Sequence, residues 1–343
     1  MFGRASVSLS LSTSRHITTM TARDSQTFAL PDGRVLGYAE YGLPNGYPVF
    51  YFHGFPTSRL EARGTDAIAR RKGLRIIAVD RPGFGLSTFQ PQRRIIDWPA
   101  DVQACAHHLQ LSKFVILGAS GGGPYALACA HVIPQETLSG VGLFASGPPW
   151  VAGRQYMSRA RRMLATAVTY WPSAVRVVTN VVVGMARWVA NTGPVARRVD
   201  AWIESLDKKK DVKEEDEVEE DEPLTIAQRR ERLYRMGFEG FAQGARGFVH
   251  ETQLLVADDW GFKFEDVTYD KVHIWHGAKD TFAPARMIRY MAERLPHCEY
   301  KEYENDSHVT LGDHLEEALS ELVPEELSAK HETVRHRNTA VST

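Results

Sequence analysis

The chain has 343 residues, 43% of them hydrophobic and 24% charged, which is enough apolar material for one large core and an inserted segment. Its formal net charge of −1 gives no basis for a nucleic-acid partner. The three cysteines stand at no metal-binding or disulfide spacing, which favours a reducing compartment. No run of about 18 uncharged apolar residues predicts a transmembrane helix.

The N-terminal segment differs in composition from the rest. Residues 1–23 carry Arg4, Arg15 and Arg23, many serines and threonines, and no acidic residue. This composition is typical of a mitochondrial transit peptide, and it lacks the apolar core of a secretory signal. Residues 1–24 are therefore predicted to be a targeting or disordered tail, with translation starting at Met20 as an alternative. The protein is expected to be cytoplasmic or mitochondrial and not secreted.

Residues 25–148 are predicted to be the first part of an α/β core. Apolar runs at 26–30 and 35–41 predict a hairpin, and further strand runs alternate with helical patterns as far as residue 144. Such alternation predicts a mostly parallel sheet flanked by helices, with the active site beyond the carboxyl ends of the strands. The turn at 80–85, Asp-Arg-Pro-Gly-Phe-Gly, follows one of these strands, and its glycines and proline indicate a structural role.

The most informative segment is Gly-Ala-Ser-Gly-Gly at 118–122, between a strand pattern and a helix pattern. A serine in a sharp strand-to-helix turn needs glycine neighbours, and the turn lifts its hydroxyl clear of the sheet. Ser120 is the predicted nucleophile. The backbone N–H groups of Gly121 and of Phe55, in the loop His-Gly-Phe-Pro at 53–56, are the predicted oxyanion hole.

Residues 149–240 are predicted to form a helical insertion, because the strand pattern disappears there. Between residues 149 and 199 there are eight arginines, several aromatic residues and no aspartate or glutamate. An apolar insertion over the nucleophile would exclude water and suit a hydrophobic substrate, whereas the alternative is that these side chains only pack onto the core. Residues 207–222 contain ten acids and four lysines, which predicts a solvated, disordered loop.

Residues 241–330 are predicted to complete the core, followed by a disordered tail at 331–343. Asp280 follows a strand pattern, and His308 lies in a loop before the last helix. His308 would accept the proton of Ser120 and return it to the leaving group, while Asp280 would orient the imidazole. Asp306 is too close in sequence to His308 to be preferred. No metal site and no organic cofactor are expected.

The loop at 53–56, the turn at 80–85, the segment 118–122 and the pair Asp280 and His308 together resemble the alpha/beta-hydrolase fold superfamily over about residues 26–328. The order Ser120, Asp280, His308 is the order of that fold. The resemblance implies a serine-hydrolase branch with a helical cap. The loop at 53–56 is similar to that of epoxide hydrolases and dehalogenases, but those enzymes use an aspartate where this chain has Ser120.

These features favour hydrolysis of a carboxylic ester of a small hydrophobic substrate through an acyl-enzyme, with thioesters and amides as further substrates. Acyl transfer and carbon–carbon bond hydrolysis use the same three residues and stay open. A ligand-binding receptor without catalysis is the alternative of a different class, because a fold does not determine a function. The sequence leaves the oligomeric state open.

Overall fold

The structure is a computed structural model that describes residues 23–210 and 224–323. The predicted tail at 331–343, nearly all of the predicted tail at 1–24 and most of the acidic segment 207–222 lie outside the described residues.

Within the described residues, one sheet of eight strands has the order β1-β2-β4-β3-β5-β6-β7-β8. The strands are β1 (Gln26–Ala29), β2 (Val35–Gly42), β3 (Tyr47–Phe52), β4 (Leu74–Val79), β5 (Phe114–Ala119), β6 (Leu138–Phe144), β7 (Val272–Gly277) and β8 (Cys298–Tyr303). Strand β2 is antiparallel to both its neighbours, and every other pairing is parallel. The predicted α/β class with a mostly parallel sheet is confirmed.

The central strands form because their side chains are apolar on both faces. All six residues of β3 and all six of β5 are buried, as expected for strands covered on both sides. The register pairs Phe52 with Val79 and Gly118, and Gly118 with Leu143. The carboxyl ends of four strands therefore meet at one edge, where the loops that follow them converge.

Among the residues that the structure describes, five α-helices flank the sheet, and five lie between β6 and β7. In chain order the helices are α1 (Asp66–Arg71), α2 (Trp98–His108), α3 (Gly123–Val132), α4 (Arg159–Tyr170), α5 (Pro172–Ala190), α6 (Gly193–Lys210), α7 (Ile226–Phe238), α8 (Arg246–Leu255), α9 (Ala285–Ala292) and α10 (Leu315–Leu322). Side chains of α2, α3 and α9 join one buried cluster with Phe50 and Ile77 of the sheet. Side chains of α1 and α10 join a second cluster with Val49 and Ile76, on the other face.

The β6–β7 insertion, residues 145–271, contains helices α4 to α8 and no strand in its described part. It extends further than the predicted insertion at 149–240, because α8 also precedes β7. Helix α6 continues to Lys210, four residues into the segment predicted as a disordered loop. The hydroxyl of Ser158 caps α4 by accepting the N–H of Arg161, and the hydroxyl of Thr225 caps α7 in the same way.

Candidate active site

Ser120 lies in a tight turn between the end of β5 at Ala119 and the start of α3 at Gly123. Its φ of 47° is in the left-handed region, which a non-glycine residue rarely adopts. A Cβ at Gly118 would lie 2.6 Å from the Gly122 carbonyl oxygen, and one at Gly122 would lie 2.2 Å from the Phe52 oxygen. The glycines are therefore required for the close approach of β5, α3 and β3 around the serine.

Three polar side chains form a hydrogen-bonded chain at the carboxyl edge of the sheet. The Oγ of Ser120 lies 2.9 Å from Nε2 of His308, which follows β8. The Nδ1 of His308 lies 2.6 Å from Oδ2 of Asp280, which follows β7. With Nδ1 as the donor to Asp280, Nε2 is left to accept the serine proton, which is the arrangement that a general base requires.

Asp280 is buried, and its surroundings hold it in the charged form. Its Oδ1 accepts the N–H groups of Phe282 at 2.7 Å and Ala283 at 2.8 Å. Burial by itself raises the pKa of this carboxyl, but the hydrogen bonds from His308 and from the Ala283 N–H outweigh it and leave the pKa lowered. The charged carboxylate can therefore orient His308 and stabilise its protonated form.

The two predicted oxyanion donors lie next to each other. A Cβ placed on Gly121 would lie 2.7 Å from the Phe55 Cβ and 3.2 Å from the Phe55 nitrogen. Both residues line the same cavity as Ser120. The Phe55 N–H has no hydrogen-bond acceptor among residues 23–210 and 224–323. It is thus available to a developing negative charge on a bound molecule.

Two charged residues hold the loop that carries Phe55: Glu61, which no sequence pattern indicates, and Arg81 of the turn at 80–85. Glu61 accepts the N–H of Gly54 with both carboxylate oxygens at 3.0 Å. From the other side, Arg81 donates to the carbonyl of His53 at 2.5 Å and to that of Gly54 at 3.1 Å. Through Arg81, the turn at 80–85 therefore fixes the loop that carries Phe55.

Arg81 is in turn anchored by a buried carboxylate. Its Nε donates to Glu251 of α8 at 2.6 Å, and Arg93 and Tyr125 donate to the other oxygen of the same carboxylate. Burial opposes ionisation of Glu251, but the two guanidinium groups leave its pKa lowered. A network of charges thus connects the β6–β7 insertion to the loop that carries Phe55.

A cavity of about 400 Å³ opens above Ser120. Core residues around Ser120 and His308 form part of its wall, and the insertion supplies the remainder. The lining from the insertion is mainly apolar and comprises Gly147, Pro148, Trp150, Met157, Arg161, Leu164, Thr252, Leu255 and Val256. This volume and composition are those of a small-molecule site with few polar groups.

Arg161 is the cation of this wall. It donates to the Phe282 carbonyl, and its Cζ lies 4.7 Å from the centre of the Phe282 ring. Burial lowers the pKa of the guanidinium, and the charge of Asp280 partly offsets this. In the described part of the chain it has no carboxylate within salt-bridge distance, so it attaches α4 to the Asp280 loop through a carbonyl and a ring.

The alternatives to Asp280 are engaged elsewhere. Asp306 lies 3.1 Å from Nε2 of His314. Asp80 is buried and accepts the Arg59 and Leu86 N–H groups. Across residues 23–210 and 224–323, no group of three or more His, Cys, Asp or Glu side chains is arranged to hold a metal ion. In the same residues, none of the helices combines the length and the apolar character needed to cross a membrane.

Known proteins resemble parts of this chain in sequence. A non-heme chloroperoxidase of Streptomyces lividans is 33% identical over 125 residues, which are 36% of this chain and 45% of that protein. A bifunctional esterase/perhydrolase of Acinetobacter calcoaceticus is 30% identical over 120 residues, which are 34% of this chain and 43% of that protein. The matched segments thus span less than half the length of these relatives.

Solved structures match almost the whole chain at low identity. A hydrolase from Pseudomonas aeruginosa has a TM-score of 0.59 at 17% identity, covering 88% of this chain and 99% of its own. An esterase from Exiguobacterium antarcticum has a TM-score of 0.55 at 18% identity, covering 87% of this chain and 98% of its own. Residues 47–315 match the family described as the alpha/beta hydrolase fold. Since this match covers most of the chain, the protein belongs to the alpha/beta-hydrolase fold family.

Proposed function

We propose that this protein is a serine hydrolase that cleaves carboxylic esters of small hydrophobic substrates through an acyl-enzyme on Ser120. The observation that carries the proposal is the hydrogen-bonded chain from Ser120 through His308 to Asp280, placed at the floor of a mainly apolar cavity. A serine is a weak nucleophile until a base accepts its proton, and this arrangement supplies the base and the group that orients it.

In the proposed first step the Oγ of Ser120 attacks the acyl carbon while its proton moves to Nε2 of His308. The carbonyl oxygen becomes negative and accepts hydrogen bonds from the N–H groups of Phe55 and Gly121. Loss of one such donor costs roughly two to three powers of ten in rate. His308 then gives the proton to the leaving alcohol, and the acyl group stays on Ser120 as an ester.

In the second step a water molecule loses a proton to His308 and attacks the acyl carbon. The bond to Oγ then breaks, His308 returns the proton to Oγ, and the acid is released with Ser120 regenerated. Asp280 keeps its charge throughout and stabilises the imidazolium that forms in each step. We further propose that the β6–β7 insertion acts as a cap, because its apolar side chains form one wall of the cavity and exclude water from it.

Labelling with a fluorophosphonate probe tests the nucleophile. Wild type is expected to be labelled, and Ser120→Ala and His308→Ala are expected to lose labelling. Ser146→Ala is the matched control, because Ser146 is also buried at the carboxyl edge of the sheet and donates only to the neighbouring Gly147 carbonyl. Labelling that survives in Ser120→Ala, or is lost in Ser146→Ala, would contradict the assignment.

Turnover of p-nitrophenyl esters with acyl chains of increasing length distinguishes a hydrolase from a receptor. A hydrolase turns over repeatedly, and Ser120→Ala abolishes that turnover. A receptor would bind the ester with the same affinity in both proteins and release no acid. The proposal would be overturned if folded wild-type protein cleaved none of the esters and was labelled by neither a large nor a small fluorophosphonate probe.

A further inference from the structure

Helix α5 carries an apolar face that points to solvent. Valine, methionine and tryptophan recur there at intervals of three and four residues, which places them on one side of the helix. Each of these side chains is at least 55% exposed, and Trp188 reaches 72%. This outer face of α5 consists of Val177, Val178, Val181, Val182, Met185 and Trp188.

The opposite side of α5 packs against the protein with half-buried residues of both kinds, such as Val183 and Arg187. Asn180 accepts the N–H of Ala245 at 2.8 Å. Arg187 donates to the carbonyls of Phe238 at 2.9 Å and Phe241 at 3.2 Å. No residue of this 19-residue helix is buried. Helix α5 therefore leaves a contiguous apolar face exposed, and a face of this kind indicates an interaction surface.

Aromatic residues stand at both ends of this face. Tyr170 and Trp171, at the junction of α4 and α5, are 71% and 64% exposed, and Trp188 lies near the end of α5. Tyrosine and tryptophan are enriched where proteins meet the boundary between lipid and water, because each has an apolar ring and a polar group. An amphipathic helix with these residues and a basic flank is typical of a segment that lies in a membrane surface.

The charge of the residues around the outer face of α5 indicates which kind of partner binds it. Residues 149–199 contain eight arginines and no acid. Six of these arginines are exposed, namely Arg154, Arg159, Arg162, Arg176, Arg197 and Arg198. A second copy of the chain would bring the same positive charge to the contact. The acidic residues 207–222 carry only two apolar residues, Val212 and Val218, which are too few to cover the outer face.

We propose that the outer face of α5 docks this protein onto a lipid bilayer that contains anionic lipids. The apolar side chains enter the boundary between headgroups and acyl chains, and the exposed arginines bind the anionic headgroups. Helix α5 lies along the surface and does not cross the bilayer. Docking goes beyond the proposed hydrolysis and does not depend on it.

The docked orientation brings the cavity close to the bilayer. Helix α4 precedes α5 directly, and its Arg161 and Leu164 line the cavity while the neighbouring Met163 is 72% exposed. The same helix therefore lines the cavity on one side and faces the solvent on the other. A hydrophobic ester dissolved in the membrane would have a short path to Ser120.

Co-sedimentation with vesicles tests the docking, using the full chain with vesicles of phosphatidylcholine alone and of phosphatidylcholine mixed with phosphatidylserine. Wild type is expected to bind the mixed vesicles and to release them as the salt concentration rises. The double variant Val181→Glu/Met185→Glu is expected to bind the mixed vesicles at least about tenfold more weakly than wild type, because it removes apolar contacts and adds negative charge.

The matched control is Val35→Glu/Val132→Glu, which makes the same kind of change at two partly exposed valines outside the insertion. It is expected to bind like wild type. Thermal unfolding of each variant excludes loss of fold, and Arg159→Gln/Arg162→Gln separates the contribution of charge.

Equal binding of wild type and Val181→Glu/Met185→Glu, or no binding of wild type to mixed vesicles, would overturn the proposal. Sedimentation velocity identifies the main alternative. A dimer of wild type that the same double variant dissociates, together with no vesicle binding, would assign the face to a second copy of the chain.

Discussion

Asp280 makes two different kinds of contact with its two carboxylate oxygens. One oxygen accepts Nδ1–H of His308, and the other accepts two backbone N–H groups of the loop that follows β7. The loop therefore fixes the position of the carboxylate, and the carboxylate fixes the tautomer of the histidine. An amide at this position would keep the shape of the carboxylate but lose its charge, and its N–H group would compete with the N–H of Nδ1.

We expect Asp280→Asn to lower kcat/KM for p-nitrophenyl esters by about 10³- to 10⁴-fold, because His308 would be held in the tautomer that cannot accept the proton of Ser120. Steady-state rates on one ester, with circular dichroism to confirm the fold, measure the effect.

Asp306→Asn is the matched control, since Asp306 is the other carboxylate near His308 in sequence and contacts His314 instead. Its activity is expected to stay within a few fold of wild type. A large loss in Asp306→Asn with a small loss in Asp280→Asn would reverse the assignment of the acid.

The residues placed in the reaction could be predicted from the sequence because each lies in a local pattern. Ser120 is surrounded by glycines, and Asp280 and His308 follow strand patterns. Glu61 has no such pattern, since one acid in a predicted helix looks like any other solvent-exposed charge. Only the folded chain brings its carboxylate to the N–H of Gly54.

At the scale of elements, α8 connects the cavity to the loop that carries Phe55. Its Thr252 and Leu255 line the cavity, while the adjacent Glu251 is buried between Arg81 and Arg93. Arg81 in turn holds the carbonyls of the loop that carries Phe55. The same carboxylate therefore fixes the position of α8 and, through Arg81, the loop that carries Phe55.

We expect Glu251→Gln to destabilise the protein by about 3–5 kcal/mol, because it leaves two buried guanidinium groups without a counter-ion. Urea unfolding followed by tryptophan fluorescence measures this free energy. The variant is also expected to lower kcat, because Arg81 loses the partner that holds it against the oxyanion loop.

Glu316→Gln is the control for this change. Glu316 also pairs with an arginine, Arg71, but both side chains are about 40% exposed, and such surface pairs contribute about 0–1 kcal/mol. A Glu251→Gln variant as stable as Glu316→Gln would show that the buried network does not stabilise the fold.

The helices and strands themselves were largely predictable from the sequence, whereas the surfaces against which they pack were not. Strand patterns and the turn residues between them are local, so the order of strands and helices follows from the sequence. Two predictions depended on which face each helix buries. One assigned α8 to the second part of the core, and the other treated the aromatic residues near α5 as cavity or packing residues. Periodicity identifies an apolar face but not what it contacts, and in α5 that face is turned outward.

At the scale of the whole molecule, folding holds several ionisable groups in one protonation state. The pKa values of Glu40, Glu251 and Asp280 are lowered although burial opposes this, because hydrogen bonds and cations favour the charged form. The pKa values of His53 and His276 are lowered mainly by burial, which favours the neutral form. For all five groups the unfolded chain binds more protons than the folded chain in acid.

Stability is therefore expected to be greatest above about pH 6.5 and to fall as the pH decreases. The decline begins near the unfolded histidine pKa of about 6.5 and steepens below about pH 4.3, where unfolded glutamates take up protons. Urea unfolding midpoints between pH 3 and pH 8, about the range of these groups, measure the curve. A midpoint that rises on acidification would contradict the lowered pKa values, and Glu251→Gln is expected to show a shallower decline below pH 4.3.

The position of the insertion has a consequence for how such a protein changes during evolution. The insertion leaves the sheet after β6 and returns at β7, and these two strands are paired neighbours. A segment with both ends on adjacent strands can lengthen, shorten or diverge without altering any strand pairing. The proposed reactive residues follow β3, β5, β7 and β8 and lie outside it. Selectivity and surface attachment can thus be inherited separately from the chemistry, so descendants of one ancestor can acquire new substrates or new locations while the reacting groups stay the same.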